Sequence, residues 1–246
     1  MSAPAEPGRR AVILAGGKGT RLGPFTTILP KPLLPVGDRA IVEIIIEQLR
    51  RRGFTRVTLA VGYLSHLITA VLGDGAPYGV ELDYHLEHSP LGTAGALAGI
   101  DDLAEPFLLM NGDLITTLDY SELMRAHERS GNALTVATQV RTATIDFGVL
   151  ELGGGDGATR AVVGYREKPH REYVVSMGVY VLEPALLRLI EPGIYLDFPE
   201  LVLRAIAAGE RVGSYHYGGL WLDIGRHEDY ERAIAEFSEL DGLLGA

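Results

Sequence analysis

The stretch Leu14–Leu22, Leu-Ala-Gly-Gly-Lys-Gly-Thr-Arg-Leu, constrains the fold of this 246-residue chain more than any other. The apolar run 11–15, which leads into its glycines, is typical of a buried strand in a parallel sheet. Gly16, Gly17 and Gly19 give the backbone access to positive φ and leave room for a ligand against main-chain N–H groups. The stretch therefore predicts a strand that ends in an anion-binding loop.

Basic side chains in and after this loop favour a polyphosphate as the bound anion. Lys18 and Arg21 add full positive charge beside the N–H groups, and Lys31 follows between two prolines. The formal net charge of −10 makes this local positive charge informative, because so acidic a chain repels nucleotides unless it gathers cations. We expect the three cations to hold the phosphates of a nucleotide.

Two common phosphate-binding loops do not fit this stretch. A P-loop needs Gly-Lys followed by Ser or Thr, which is absent here. The Rossmann pattern Gly-x-Gly-x-x-Gly fails because Leu22 occupies the third glycine position, and no acidic residue closes the next strand. The loop therefore argues against a P-loop protein and against a Rossmann dehydrogenase.

Composition excludes several other classes of protein. The acidic net charge argues against a nucleic-acid or anionic-membrane partner, and the absence of cysteine excludes disulfides, thiolate zinc sites and cysteine nucleophiles. No apolar run approaches membrane-spanning length, and residues 1–8 do not read as a signal peptide, so we expect a cytoplasmic protein. The seven histidines show no metal-binding pattern, and we interpret them as structural or surface residues.

Apolar periodicity predicts strands that alternate with helices, as in βαβ units on a parallel sheet. Further strands are predicted at 57–61, 80–86, 106–110, 133–140, 174–182 and 211–217, with a hairpin of 147–152 and 161–167. Helices are predicted at 41–52, 64–72, 92–100, 120–129, 184–190 and 198–208. A closing helix is predicted to bury one apolar stripe, Tyr230, Ala233, Ile234 and Phe237.

Two aspartates in separate halves of the chain predict a metal site. Asp113 follows a predicted strand, and the carboxyl ends of strands are where ligands bind in such sheets. Asp223 lies in Trp221-Leu-Asp-Ile-Gly. Because Mg²⁺ is commonly held by one or two carboxylates together with substrate phosphates, this pair is a credible magnesium site.

Five motifs in order make the chain resemble a known family. They are the loop with Pro30-Lys-Pro-Leu-Leu-Pro35, Pro90-Leu-Gly-Thr-Ala-Gly95, Asn111-Gly-Asp113, Glu167-Lys-Pro169 and Trp221-Leu-Asp223. From about Arg10 to Phe237 the chain resembles the sugar-1-phosphate nucleotidyltransferases, also called nucleotide-diphospho-sugar pyrophosphorylases, and most closely their guanylyl, GDP-mannose pyrophosphorylase-like branch. The resemblance implies an α/β fold with a Rossmann-like mixed, mostly parallel sheet and helices on both faces.

The resemblance also implies a role for each site residue. Nucleotide binding is implied for Leu14, Ala15, Gly16, Gly17, Gly19, Thr20, Arg21, Glu87, Pro90, Gly92, Thr93 and Asp113. Binding of the sugar phosphate is implied for Asn111, Gly112, Gly148, Glu167, Lys168, Ser176 and Trp221. The implied catalytic residues are Arg21, Lys31, Asp113, Lys168 and Asp223, with Mg²⁺ on the two aspartates. Relatives usually carry asparagine in place of Ser176, so the identity of the sugar stays open.

Glu87 bears on the choice of nucleobase. It ends a predicted strand just before the Pro90 motif, and thymidylyl relatives carry glutamine there. Guanine presents N1–H and an amino group side by side, which suits a carboxylate because a carboxylate only accepts hydrogen bonds. Glu87 therefore predicts GTP, with dTTP as the runner-up; the alternative is a strand-end acid that points to solvent.

The resemblance implies an enzyme that joins a nucleoside triphosphate to a sugar 1-phosphate and releases pyrophosphate. A catalytically silent regulatory homologue is the alternative, and the survival of all five catalytic residues argues against it. With no internal repeat or linker, we expect one domain over 1–246: a loose tail to about 9, a nucleotide-binding half over 10–140 and a sugar-phosphate-binding half over 141–246. We expect no added β-helix or regulatory module, and a homodimer is left open.

Overall fold

The computed structural model of the chain describes residues 9–17, 19, 22–155, 158–236 and 242, and a seven-stranded sheet forms its centre. In chain order the strands are β1 (Arg9–Ala15), β2 (Pro35–Val36), β3 (Arg39–Ala40), β4 (Phe54–Val61), β5 (Glu81–Leu86), β6 (Phe107–Asn111), β7 (Leu114–Thr116), β8 (Leu134–Thr144), β9 (Val149–Leu152), β10 (Val162–Arg166), β11 (His170–Leu182), β12 (Val212–His216) and β13 (Trp221–Asp223). The α-helices are α1 (Ile41–Arg51), α2 (Ser65–Leu72), α3 (Gly92–Gly95), α4 (Tyr120–Ser130), α5 (Phe198–Ala207) and α6 (His227–Ala235).

The central sheet is mixed and mostly parallel, as predicted. Its strand order is β12-β8-β11-β6-β1-β4-β5. β1 runs parallel to β4 and β6, β4 to β5, and β8 to β12, whereas β11 is antiparallel to both β6 and β8. The parallel strands β1, β4 and β6 end at the same edge, so the loops that follow them lie close together.

Both faces of the sheet are covered by helices, which confirms that part of the prediction. Successive side chains of a strand point to opposite faces, so Ile13 joins one hydrophobic cluster and Val12 joins the other. Residues of α1, α2, α4 and α6 belong to the first cluster, and residues of α3 and α5 belong to the second.

The predicted helix at 92–100 is wrong in type over its second half. Only α3 is α-helical, and a 3-10 helix over Ala96–Gly99 follows it. Glycine is a poor helix former, and here the glycines allow close packing: a Cβ at Gly95 would lie 2.8 Å from the carbonyl oxygen of Ile194. A Cβ at Gly99 would lie 2.5 Å from the His85 ring. These residues pack tightly against neighbouring segments and form a 3-10 turn instead of continuing the α-helix.

Two further helix predictions need correction. Residues 184–190 form a 3-10 helix, Pro184–Leu189, instead of an α-helix. In α6 the buried face is narrower than predicted: Tyr230 and Ala233 are buried, but Ile234 is 50% exposed because it lies beside that face. Phe237 lies outside the described residues.

β8 and β11 are longer than predicted because their ladder continues past the core. Pairing runs from Leu134 with Leu182 to Thr144 with His170, through residues that are largely exposed at the far end. Burial therefore marks where the core ends and does not mark where the strands end. The predicted hairpin lies between β8 and β11 in the chain and forms the separate antiparallel pair β9–β10.

Candidate functional site

A cavity of about 400 Å³ opens where β1 and β6 end. Its described lining is Leu14, Ala15, Gly16, Gly17, Gly19, Lys31, Pro32, Glu87, Pro90, Gly92, Thr93, Asn111, Gly112, Asp113 and Tyr195. Every residue predicted to bind the nucleotide lines this cavity, except Thr20 and Arg21, which with Lys18 lie outside the described residues. Asn111 and Gly112, predicted for the sugar phosphate, line the same cavity.

The glycines of the loop serve different purposes. Of the three, only Gly19 adopts positive φ (62°), so the expected left-handed backbone occurs at one position. Gly16 instead permits a close approach, since a Cβ there would lie 2.5 Å from Oε1 of Glu87. Gly17 has open space around its Cα. A side chain at position 16 would therefore displace Glu87 from the cavity wall.

Glu87 lies on the cavity wall instead of pointing away into solvent. Its N–H donates to the carbonyl of Val61 at 2.8 Å, which fixes the backbone beside the end of β4. Its Oε2 accepts the Leu91 N–H at 3.3 Å, and its Oε1 lies against Gly16. Burial raises the pKa of the Glu87 carboxyl, although the Leu91 hydrogen bond and the charge of His85 oppose that shift.

An ion pair joins Lys31 to Asp113 inside the cavity. Lys31 begins the 3-10 helix Lys31–Leu33 and its side chain is only 9% exposed. Its Nζ donates to Oδ2 of Asp113, which lies two residues after the end of β6. Oδ1 of Asp113 is buried and has no hydrogen-bond partner among the described residues. That oxygen is available to a cation or a donor that enters with a ligand.

The short ladder of β7 with β13 brings Asp223 beside Asp113. Asp223 pairs with Leu114, and the N–H of Ile224 donates to the backbone carbonyl of Asp113 at 2.9 Å. Oδ1 of Asp223 accepts the Gly225 N–H at 2.9 Å. Within the described part of the chain, no group of three or more His, Cys, Asp and Glu residues is arranged to hold a metal. Two carboxylates with one unpartnered oxygen fit a cation that completes its coordination with substrate phosphates.

The predicted residues of the hairpin lie apart from the cavity lining. Gly148 packs against the hydroxyl of Tyr165, which donates to Oε2 of Glu167 at 2.7 Å. Glu167 and Lys168 are exposed, and Lys168 adopts positive φ (41°) in the turn after β10. The structure thus groups Gly148 with Glu167 and does not join them to the residues that line the cavity.

Ser176 and Trp221 also lie outside the cavity lining. The hydroxyl of Ser176 donates to the Tyr180 hydroxyl at 3.1 Å and accepts the Gly178 N–H at 3.3 Å. Trp221 lies two residues before Asp223 in the chain. The guanidinium carbon of Arg141 lies over its ring, 4.6 Å from the ring centroid.

Sequence reasoning missed Pro32 and, more importantly, Tyr195 in the cavity lining. The Tyr195 hydroxyl donates to Oδ2 of Asp197 at 2.7 Å, and that hydrogen bond raises the pKa of the phenol. Gly92 has positive φ (76°), and a Cβ there would lie 2.5 Å from the carbonyl oxygen of Leu196. Tyr195 is about 100 residues from Gly92 in sequence, so no local pattern could have joined the two.

The fold and the loop after β1 define a Rossmann-like α/β protein, and comparison with known proteins assigns it to a family. The profile of the nucleotidyl transferase family matches residues 10–239, and the chain belongs to that family. The match spans nearly the same residues as the predicted resemblance, which it confirms.

Individual relatives agree with this assignment. The chain is 32% identical over 231 residues to mannose-1-phosphate guanylyltransferase catalytic subunit beta of Dictyostelium discoideum. It is 28% identical over 245 residues to UTP–glucose-1-phosphate uridylyltransferase of Synechocystis. These matches cover 90% and 92% of the chain but 62% of each relative. The crystal structure of HddC from Yersinia pseudotuberculosis is similar with a TM-score of 0.71 at 25% identity, over 93% of this chain and 99% of HddC.

Within the residues that the structure describes, no helix is both long and apolar enough to cross a membrane.

The Lys31–Asp113 pair generates a prediction about stability. In Lys31→Met, Oδ2 of Asp113 loses its partner and the partly buried carboxylate is left without a compensating charge, which should lower the free energy of unfolding by about 1–3 kcal/mol. Adding Asp113→Asn should recover part of the loss, because the uncompensated charge is removed. Urea unfolding of the single and double variants measures both effects.

The exposed pair of Arg125 with Glu122 supplies a matched control. Arg125→Met should change the free energy of unfolding by less than about 1 kcal/mol. A Lys31→Met variant that is as stable as Arg125→Met would contradict a stabilising ion pair in the cavity.

Proposed function

We propose that the chain transfers a nucleoside monophosphate from a nucleoside triphosphate, with GTP preferred, to a sugar 1-phosphate, giving a nucleotide sugar and pyrophosphate. One observation carries the proposal: a single cavity has Glu87 on its wall together with the Lys31–Asp113 pair and the glycine loop. Such a cavity offers acceptors for a base and charge for phosphates. The names of the relatives support the same reaction class.

The proposed reaction needs no protein nucleophile. An oxygen of the sugar phosphate attacks the α-phosphorus, the bond from that phosphorus to the oxygen bridging to the β-phosphate breaks, and pyrophosphate leaves with the electron pair. The second pKa of a sugar phosphate is about 6, so the attacking oxygen is already anionic near neutral pH. The protein therefore acts by aligning two anions and neutralising their charge.

The charged residues divide this task between them. Arg21 and the loop N–H groups hold the departing β- and γ-phosphates, and Lys31 neutralises charge near the α-phosphorus. Lys31 is paired with Asp113, so substrate binding exchanges that partner for phosphate oxygens. Lys168, which is not part of the described cavity lining, holds the attacking sugar phosphate.

Asp113 and Asp223 would hold Mg²⁺, as expected from the sequence. The unpartnered Oδ1 of Asp113 and the neighbouring Asp223 support this proposal. When bound, Mg²⁺ supplies Lewis-acid neutralisation of phosphate charge.

The choice of GTP rests on Glu87. Its carboxylate lies against Gly16 in the cavity and offers acceptors only, which matches the adjacent N1–H and amino groups of guanine. The similarity to guanylyltransferases adds support, while the similarity to a uridylyltransferase leaves other bases as competing outcomes.

A substrate panel tests the proposed function directly. GTP, dTTP, UTP, ATP and CTP are each combined with several sugar 1-phosphates, and pyrophosphate release is measured. We expect release that requires both substrates and is fastest with GTP. No release from any combination would contradict the proposed activity.

Removing either aspartate should impair the reaction through the metal. Asp113→Asn and Asp223→Asn should each lower turnover by about 10² or more, and raise the Mg²⁺ concentration that gives half the maximal rate, because each removes a charge from the same ion. Pyrophosphate release across a Mg²⁺ titration measures both. Asp101→Asn, an exposed aspartate outside the cavity lining, is the control. A variant at Asp113 or Asp223 that stays within a few-fold of wild type at limiting Mg²⁺ would rule out the two-aspartate site.

Glu87→Gln should shift the choice of base. Glutamine both donates and accepts, as the N–H and carbonyls of thymine require, whereas one guanine donor loses its acceptor. We expect the ratio of kcat/KM for GTP to that for dTTP to fall about tenfold or more in Glu87→Gln. A wild type that prefers dTTP, or an unchanged ratio in the variant, argues against the role of Glu87.

The raised pKa of Glu87 predicts a pH dependence of opposite sign for binding and stability. As pH falls through this raised pKa, the carboxyl gains a proton and kcat/KM for GTP should decline, at a higher pH than for an exposed glutamate. The fold favours the protonated form, so Glu87 contributes to stability below its unfolded pKa and this contribution is lost as pH rises through the folded pKa. Profiles of kcat/KM and of urea unfolding, for wild type and Glu87→Gln, measure both trends. Identical profiles for the two proteins would contradict this account.

A further inference from the structure

Tyr195 stands out among the residues that line the cavity. It is the sole aromatic residue in the described lining, and it comes from the segment before α5, in the second half of the chain. Tyr195 is 60% exposed, so it both lines the cavity and retains accessible surface. A ligand in the cavity could cover its ring.

The segment that carries Tyr195 is tied to α3 by backbone hydrogen bonds. The N–H groups of Ala94 and Gly95 both donate to the Leu196 carbonyl, at 2.9 and 3.0 Å. The Leu196 N–H donates to the Leu91 carbonyl at 2.8 Å. Gly92 allows this approach because it has no Cβ to meet Leu196. The position of Tyr195 is therefore fixed relative to the start of α3, where the nucleoside is proposed to bind.

Asp197 fixes the ring itself. Its Oδ2 accepts the Tyr195 hydroxyl at 2.7 Å, while its Oδ1 accepts the Thr93 N–H at 3.3 Å. The Thr93 hydroxyl in turn accepts the Phe198 N–H at 2.8 Å. One carboxylate thus links the phenol to a cavity residue of α3, which leaves the face of the ring, and not its polar tip, available to a ligand.

A nucleobase has an edge and two flat faces, and Glu87 addresses only its edge. Stacking of a base on an aromatic ring contributes about a 5- to 150-fold gain in affinity. We propose that the Tyr195 ring stacks on the nucleobase and closes the cavity over it, with Asp197 as the positioning residue for the ring. This inference rests on the proposed function and adds a specificity element from the second half of the chain.

Direct binding of a non-hydrolysable GTP analogue, measured by calorimetry without sugar 1-phosphate, tests the proposal. Tyr195→Ala should raise Kd about 5- to 150-fold, whereas Tyr195→Phe keeps the ring and should stay within about threefold of wild type. Ile194→Ala, at an adjacent exposed residue outside the described lining, is the control and should bind as wild type does.

In turnover, Tyr195→Ala should raise KM for GTP and leave kcat nearly unchanged, because the lost contact is made in both the ground and the transition state.

The outcomes separate this inference from the proposed function. A Tyr195→Ala variant with unchanged Kd, or with a defect confined to KM for the sugar 1-phosphate, overturns the stacking role while the activity stands. A wild type that binds the analogue, loses affinity in Tyr195→Ala, yet releases no pyrophosphate supports stacking and overturns the activity. A wild type that does not bind the analogue overturns the stacking of guanine and the preference for GTP, while pyrophosphate release with another triphosphate would keep the reaction class.

Discussion

The ion pair of Lys31 with Asp113 is the interaction on which the arrangement of the cavity depends. It joins residues 82 positions apart, one just after the glycine loop and one just after β6. Gly19 packs against the Cβ of Lys31, and the backbone carbonyl of Asp113 accepts the Ile224 N–H. The ion pair therefore connects the glycine loop to the segment that leads into α6. Burying two opposite charges side by side costs less free energy than burying either charge without its partner. The pair therefore holds a basic and an acidic side chain together at the place where phosphates are proposed to bind.

The central sheet explains why these groups meet. β1, β4 and β6 are parallel neighbours, so the glycine loop, the Glu87 backbone bonded to Val61, and Asp113 all occur at one edge. The cavity then needs small residues where chains approach: Gly16 beside Glu87, Gly92 beside Leu196, and Gly112 beside the Leu14 carbonyl. In this account the glycines serve mainly for close packing of backbone segments, and positive φ matters at Gly19 and Gly92.

Much of the fold and of the cavity lining could be predicted because the signals are local. The glycine loop and Asn111-Gly-Asp113 lie at the ends of the buried apolar strands β1 and β6, and a parallel sheet brings such positions to one edge. Tyr195 could not be predicted in this way, because it reaches the cavity through backbone contacts with α3 that no spacing in the sequence reveals. Nor could the absence of Lys168 from the described lining be predicted, because no spacing in the sequence gives the position of the β9–β10 pair, which forms a sheet of its own. The roles assigned to these residues, the metal and the single-domain division stay predictions.

A crystal structure with a non-hydrolysable GTP analogue and Mg²⁺ would test the central claim most directly. We predict the guanine edge on the Glu87 carboxylate, the phosphates along the loop after β1, and Nζ of Lys31 within hydrogen-bond distance of phosphate oxygens instead of Asp113. A nucleotide bound elsewhere, or a Lys31–Asp113 pair that stays intact beside bound phosphates, would contradict it.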